Sequence, residues 1–212
     1  MGGCFMSINV NTIDLNDSNN PYIVPVGISN RHLHVSQEHL EQLFGAGATL
    51  TNIKDLTQPG QYACNECVNV VGPKGMIEKM RILGPVRPQT QVEVAQTDAR
   101  KLGIKALLRN SGDLAGSPGC VLVGPKGYAV LTEGVIIANP HVHLHTSDGD
   151  RLQIKDKELV DIYFTGVKSG AIFSIIARVH PEFALDVHVD TDEANAYQLG
   201  NNARALLVKH ES

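Results

Sequence analysis

Histidines spaced two residues apart are the residues of this sequence best suited to chemistry. His32 and His34 form one pair, and His141 and His143 form a second pair 109 residues further along the chain. Alternate side chains of a β-strand share a face, whereas a helix would turn residues at this spacing about 200° apart. A strand therefore offers both imidazoles of a pair to one metal ion, and the repetition indicates zinc or a similar borderline metal.

Two further residues complete the set of candidate metal ligands. His188 begins a partial third copy of the motif, His-Val-Asp, and Glu93 lies in a segment of alternating polarity. Zinc takes three or four nitrogen, sulfur or oxygen ligands, and a catalytic zinc keeps one position open. Six ligands divided into two groups of three would form two open zinc sites.

The remaining histidines lack this pattern. Any single strand histidine can be an ordinary hydrogen-bonded residue, and that interpretation is preferred for His39, His180 and His210. His145 shares the predicted strand face of His141 and His143, so its role stays open.

Arg87 is the candidate anion-binding residue. It lies between Pro85 and Pro88, six residues before Glu93. A guanidinium group presents a planar fork that fits phosphate. Spacing alone is equally compatible with an arginine that packs on the surface.

Composition limits the classes of function. The chain has 212 residues, of which 42% are hydrophobic and 19% charged, as in globular proteins of one large or two small domains. The net charge of -4 without a long basic run excludes a broad nucleic-acid-binding surface. No apolar run reaches the roughly 18 to 20 residues that cross a bilayer, so we expect neither nucleic acid nor membrane as a partner.

Cysteine usage indicates a reducing, cytoplasmic environment. The four cysteines do not resemble a disulfide framework, and the first residues lack the features of a secretory signal. Cys64 and Cys67 form a single Cys-x-x-Cys pair without a second pair or a thioredoxin-like context. Neither a redox role nor a zinc ribbon is favoured for them.

Short strands are the main elements expected to position these residues. Residues 1–21, rich in Asn and Asp, predict a flexible N-terminal tail. One helix is predicted between the cap Ser36 and Gly45, a second over 98–102 with Thr97 or Asp98 as cap, and a third over 191–196. Strands are predicted over 22–28, 67–71, 76–83, 89–95, 120–123, 128–131, 134–138, 151–154, 159–179, 185–189 and 203–208.

A repeated tetrapeptide joins some of these strands. Gly-Pro-Lys-Gly occurs at 72–75 and again at 124–127. Neither copy has the Gly-Lys-[Ser/Thr] ending or the following helix of a phosphate-binding loop, so both are predicted to be hairpin turns. Many short strands, repeated hairpins and a repeated His-x-His motif indicate paired β-barrels.

The motifs taken together closely resemble those of the PduL-type phosphate propanoyltransferases, a phosphotransacylase family, over about residues 22–208. The matching segments are VPVGISNRHLH at 24–34, LTQPGQ at 56–61, VGPKG at 71–75 and 123–127, ILGPVR at 82–87, TQVE at 90–93, RNSGD at 109–113, GVIIA at 134–138 and HVDTDEAN at 188–195.

This resemblance implies a mainly β fold of two similar, pseudo-duplicated β-barrels with a few short capping helices. The first barrel would comprise 22–46 and 138–212 and the second 47–137, with a two-zinc site between them. By the resemblance, Arg87 handles phosphate. The first zinc is expected on His32, His34 and Glu93, and the second on His141, His143 and His188.

The implied activity is reversible transfer of a propanoyl or acetyl group between CoA and phosphate, with acyl-CoA, phosphate and acyl phosphate as substrates. No Ser-His-Asp arrangement is evident, which favours direct transfer. A two-zinc hydrolase acting on a thioester or phosphate substrate stays open, as does a non-enzymatic metal-binding or shell-associated protein. Whether the chain forms a homo-oligomer is also open.

Two departures from the family pattern bear on these expectations. The family usually has Arg immediately before the second His-x-His, where this chain has Pro140. Members inside propanediol-degrading bacterial microcompartments often carry an amphipathic N-terminal helix, and residues 1–21 lack that periodicity. The cytoplasm is therefore the expected location, and a place inside a bacterial microcompartment stays open.

Overall fold

A computed structural model describes residues 12–210 as a mainly β protein, which confirms the predicted fold class. The strands are β1 (Ile23–Ser29), β2 (His32–His34), β3 (Asn52–Asp55), β4 (Tyr62–Val71), β5 (Met76–Gly84), β6 (Gln91–Glu93), β7 (Leu107–Arg109), β8 (Cys120–Val123), β9 (Tyr128–Leu131), β10 (Val135–Ala138), β11 (His141–Leu144), β12 (Leu159–Phe164), β13 (Gly170–Val179), β14 (Asp186–Asp190) and β15 (Arg204–Lys209). The helices in this range are α1 (Gln37–Phe44), α2 (Gln96–Leu102), α3 (Thr146–Leu152) and α4 (Thr191–Ala196).

The predicted N-terminal tail lies partly outside the described residues, which begin at residue 12. Residues 12–21 form consecutive turns. The Asp14 carboxylate accepts a hydrogen bond from the Asn16 N–H at 2.9 Å, and Asp17 accepts one from the Asn19 N–H at 2.9 Å. Such local side-chain to backbone bonds are the reason that Asn and Asp favour turns over helices.

The chain divides into two compact units. The first contains the described residues up to Gly27, then His141–His188 and the residues from Glu193 onward, and the second contains Ile28–Pro140 and Val189–Asp192. The family resemblance instead implies that 22–46 groups with 138–212. The division differs because β2 pairs with β5 and β6, both of which belong to the second unit.

A closed barrel of six strands, in the order β1-β14-β11-β13-β12-β15, forms the core of the first unit. Strand β1 pairs antiparallel with β15, and β11 runs parallel to β13. Val142 and Leu144 of β11 are fully buried in this unit. Because strand side chains alternate, the two β11 histidines share the opposite face of the strand.

A sheet of nine strands, in the order β7-β10-β6-β2-β5-β4-β8-β9 with β3 on β4, forms the second unit. The central pair, β2 and β6, is antiparallel, and each has a parallel outer neighbour, β5 and β10 respectively. Each central strand is followed directly by a helix. Strand β5 begins directly after the Gly-Pro-Lys-Gly hairpin at 72–75, and β10 is reached from the hairpin at 124–127 through β9. The second unit is therefore itself an internal repeat.

Both Gly-Pro-Lys-Gly segments are hairpin turns, as predicted, and each packs against the end of a helix. The Lys74 N–H donates to the carbonyl of Leu102 at the end of α2, and the Lys126 N–H donates to the carbonyl of Leu43 near the end of α1, both at 3.0 Å. A helix leaves its last carbonyls without intrahelical partners, and the hairpins supply donors for them. The first glycine of each hairpin, Gly72 or Gly124, has no side chain and so lets the helix carbonyl come close to the hairpin backbone.

Helix α1 begins as predicted, whereas the predicted start of the second helix and the strand predicted over 151–154 were wrong. The Ser36 hydroxyl accepts from the His39 N–H and caps α1. Helix α2 begins after Ala95, which has no capping side chain, and Asp192 accepts from the Thr97 N–H at 2.8 Å. Residues 151–154, predicted as a strand, contain the last residues of α3. Strands β3 and β7 were not predicted.

Candidate metal centres and anion-binding residue

The first cluster of candidate ligands is built by β2 and β6. His32 lies directly opposite Glu93 in the antiparallel pair, and His34 follows two residues later on β2. One ligand atom from each of these three residues lies within 4.8 Å of the other two. The His32 Nε2 is 3.5 Å from a Glu93 carboxylate oxygen. The structure thus brings together the three residues expected for one metal ion.

Backbone carbonyls orient both imidazoles of this cluster. The His32 Nδ1 is 2.8 Å from the Asn30 carbonyl, and the His34 Nδ1 is 3.0 Å from the Leu83 carbonyl. A carbonyl oxygen only accepts, so each Nδ1 carries the proton. Each Nε2 then has a free lone pair, which is the arrangement usual for a metal-ligating histidine.

The second cluster is built by β11 and β14, which form an antiparallel pair as β2 and β6 do. His141 lies directly opposite His188 in the antiparallel pair, and His143 follows two residues later. Their ligand atoms lie within 4.8 Å of one another. The ring centroids are 4.7 Å apart for His141 and His143 and 4.8 Å apart for His143 and His188.

The donor set of this second cluster fits a metal ion. His143 is 6% exposed, and its Nδ1 has no hydrogen-bond partner among the residues that the structure describes. Burying a polar nitrogen without a partner costs free energy, so native structures rarely leave one. A zinc ion bound by the three imidazoles would take up such a lone pair.

Burial keeps one imidazole of each cluster neutral. Burial, helped by the electrostatic effects of Arg87 and His32, lowers the pKa of His34 to about 3. Burial, helped by His141 and His188, lowers the pKa of His143 to about 2. Only a neutral imidazole has a lone pair for a metal, so both side chains are in the ligating form near neutral pH.

Arg87 lies beside the first cluster. Its backbone N–H donates to the Val35 carbonyl at 2.9 Å, which fixes the segment that follows β5 against the end of β2. The Arg87 Nη1 is 3.4 Å from the Ser111 hydroxyl, which is itself 3.2 Å from Glu93 Oε1. One hydroxyl group therefore connects the guanidinium to a candidate metal ligand.

Ser111 and Gln91 are site residues that the sequence reasoning missed. The Gln91 amide donates to the Ser111 hydroxyl at 2.9 Å and also to Glu93. The carbonyl end of Gln91 accepts from the Gly112 N–H at 2.8 Å. Both residues belong to motifs of the family resemblance, TQVE and RNSGD, and that was the available signal.

The other histidines lie outside both clusters. His39 bonds to the Thr90 hydroxyl at 2.7 Å, and His210 bonds to Asp161 at 2.9 Å. His145, whose role was open, is the N-cap of α3 and accepts from the Ser147 N–H. His180 accepts from the Glu182 N–H at 3.2 Å. These contacts agree with the ordinary hydrogen-bonding roles preferred for His39, His180 and His210.

Comparison with known proteins shows which family the chain resembles. A family model described as phosphate propanoyltransferase matches residues 25–200. A phosphate propanoyltransferase of Thermotoga maritima is 50% identical over 185 residues, covering 87% of this chain and 88% of the relative. The protein of that name from Salmonella typhimurium is 46% identical, covering 87% of this chain and 89% of the relative. That from Listeria monocytogenes is 42% identical, covering 88% of this chain and 87% of the relative.

None of the helices between residues 12 and 210 is long and apolar enough to span a membrane.

Proposed function

The chain belongs to the phosphate propanoyltransferase family and is therefore an acyltransferase, and we propose that it transfers a propanoyl or acetyl group directly between CoA and phosphate, with one zinc ion at each cluster. The observation that carries this proposal is the link from Arg87 through Ser111 to Glu93. It joins a group suited to phosphate to a group suited to zinc.

The reaction balances without a further reactant. In the direction of acyl phosphate synthesis, a phosphate oxygen forms a bond to the thioester carbonyl carbon, and the carbon–sulfur bond breaks. CoA leaves as a thiolate and takes up a proton, and hydrogen phosphate gives up one proton as it becomes the acyl phosphate, so the protons balance. Zinc, when bound, would polarise an oxygen of the substrate and favour the thiolate form of CoA.

Arg87 binds the phosphate in this proposal. Its guanidinium donates two parallel hydrogen bonds to phosphate oxygens, which fixes the direction from which the nucleophile approaches the carbonyl. The same positive charge offsets negative charge that develops on the acyl group during transfer. Ser111, which contacts both Arg87 and Glu93, holds the two side chains in a fixed relation.

The state of two buried thiols argues against an acyl-enzyme on either of them. Burial raises the pKa of Cys64 to about 11 and that of Cys120 to about 12. A thiol must be a thiolate to attack a thioester, so neither residue is suited to form an acyl-enzyme near neutral pH. In the proposed mechanism the acyl group passes between the two substrates without forming an acyl-enzyme intermediate on Cys64 or Cys120.

The experiment that tests the activity uses zinc-loaded protein with propanoyl phosphate or acetyl phosphate and CoA. We expect acyl-CoA as the product, and loss of the activity after treatment with a chelator. Formation of the free acid alone, with no thioester, would favour the hydrolase alternative.

A second experiment tests direct transfer. Labelled phosphate is incubated with unlabelled acyl phosphate and the protein in the absence of CoA. A direct mechanism predicts no exchange of label into acyl phosphate, because the acyl group leaves phosphate only when CoA is bound. Exchange without CoA at a rate near that of turnover would demonstrate an acyl-enzyme.

A further inference from the structure

A buried carboxylate lies beside the second cluster and is not one of its three ligands. Asp186 is 3% exposed, and its Oδ2 is 3.2 Å from the Nε2 of His188. The two residues share a face of β14 because they are two positions apart, and Asp186 lies directly opposite His143 in the pairing with β11. The carboxylate is thus next to the cluster on the same strand face.

The neighbouring strand leaves space for this carboxylate. A Cβ added to Gly27 of β1 would lie 2.8 Å from the Asp186 Oδ2 and 3.4 Å from its Cγ. Real Cβ atoms do not approach a carboxylate oxygen that closely, so any larger residue at position 27 would push Asp186 away from its present place. Glycine at this position and aspartate at 186 therefore form a matched pair.

We infer that Asp186 is a positioning residue that sets which nitrogen of His188 faces the metal. A carboxylate buried to this extent is stabilised by a donor, and the Nε2–H of His188 is within reach to supply it. With its proton on Nε2, His188 presents the Nδ1 lone pair to the cluster. The carboxylate also makes the imidazole a stronger electron donor.

This assignment makes the two clusters chemically different. In the first cluster neutral backbone carbonyls hold the Nδ1 of His32 and His34, so Nε2 is the ligating atom. In the second cluster a carboxylate holds Nε2 of His188, so Nδ1 is the ligating atom. Outer partners of this kind typically change metal affinity about 10- to 100-fold, so the loss of Asp186 should weaken one site and spare the other.

The test measures zinc affinity by competition with a chelating indicator and does not depend on acyl transfer. The inference rests on the two zinc ions of the proposed function. If the protein binds two zinc ions but does not transfer an acyl group, the proposed activity is wrong and the role of Asp186 is unaffected. We expect Asp186→Ala to bind one of its two ions about 10- to 100-fold more weakly and the other as in the wild type. Wild-type affinity at both sites, or an equal loss at both, would overturn the inference.

Two further variants separate positioning from general structure. Gly27→Ala keeps the carboxylate but displaces it, so it should weaken the same single ion, whereas Gly200→Ala, with nothing within 4 Å of its added Cβ, should change neither. Asp186→Asn keeps the side-chain volume and covers the case in which Asp186→Ala does not fold. This variant is made in a His34→Ala background, so that Co²⁺ binds only at the second cluster. Asp186→Asn should then shift the visible absorption spectrum of the bound Co²⁺. An unchanged spectrum would rule out the positioning role of Asp186.

Discussion

At the scale of single residues, Ser111 gives the anion-binding candidate and the first cluster a common partner. Its hydroxyl accepts from Arg87 and Gln91 and donates to Glu93. A single hydroxyl can make all three contacts because it has one proton and two lone pairs. Because Ser111 links Arg87 to a candidate metal ligand, the zinc content of each Arg87 variant is measured together with its phosphate kinetics.

Arg87→Ala is expected to leave zinc content unchanged, raise KM for phosphate and slow turnover. Loss of one bidentate contact to the transition state is worth about 2 to 4 kcal/mol, or roughly 30- to 1000-fold in rate. Arg87→Lys should recover little, because an ammonium group cannot reproduce the fork. The measurement is acyl-CoA formation and breakdown at varied phosphate.

The control for this comparison is Arg100→Ala, which removes an exposed arginine from α2. Its phosphate kinetics should match those of the wild type. Near-normal phosphate kinetics in Arg87→Ala would remove phosphate binding from the role of that residue.

The cysteines should differ in reactivity. Burial raises the pKa of Cys120 to about 12 and that of Cys64 to about 11, so both remain thiols at pH 8. Among the three cysteines that the structure describes, we expect iodoacetamide at that pH to alkylate the partly exposed Cys67 first, and Cys64 and Cys120 only after unfolding in urea. Peptide mass spectrometry reads each site separately. Alkylation of native Cys120 as fast as Cys67 would contradict the burial of Cys120.

At the scale of elements, each cluster uses one antiparallel strand pair whose strands both continue into helices. Strands β2 and β6 precede α1 and α2, and β11 and β14 precede α3 and α4. The cross-strand partners His32 and Glu93 in one pair, and His141 and His188 in the other, supply two of the three ligands each. A displacement of α1 or α2 should therefore be transmitted to the first cluster through β2 or β6.

Gly72→Ala and Gly124→Ala should each destabilise the protein by about 1 to 3 kcal/mol. An added Cβ would lie 2.3 Å from the Leu102 carbonyl oxygen in the first case and 2.4 Å from that of Leu43 in the second. Both oxygens belong to helix backbone that cannot rotate away. The measurement is the free energy of unfolding in urea, with Gly200→Ala as a control of unchanged stability. Wild-type stability for both variants would show that the hairpins do not anchor the helices.

At the scale of the whole molecule, zinc is expected to stabilise the folded chain through two separate sites. One site filled at a free concentration 100 times its Kd adds about 2.7 kcal/mol. For a chain of this length each kcal/mol raises Tm by about 2 to 4 °C. Zinc removal should therefore lower Tm, measured by calorimetry against metal content.

Variants assign the two ions to their clusters. His34→Ala and His143→Ala should each reduce the metal content from two ions per chain to one. His39→Ala should keep both, because His39 bonds to Thr90 outside the clusters. Metal content near zero in active wild-type protein would refute the two-zinc proposal.

Much of this organisation is local and could be read from the sequence. The alternation of a strand puts His32 with His34 and His141 with His143, whatever the rest of the chain does. The cap at Ser36, the helix over 191–196 and the hairpin turns also follow from short-range chemistry.

Tertiary structure decided the features that depend on pairing between distant strands. Spacing could not show that His32 faces Glu93 or that His141 faces His188, because register is set where separate segments meet. The cap of α2 was missed because Asp192 is 95 residues from Thr97. The same reason hid Asp186 and Gly27, whose fit exists only where β1 lies beside β14. The sequence determines the type of each side chain, whereas the register of the folded sheet determines which side chain lies opposite it on the neighbouring strand.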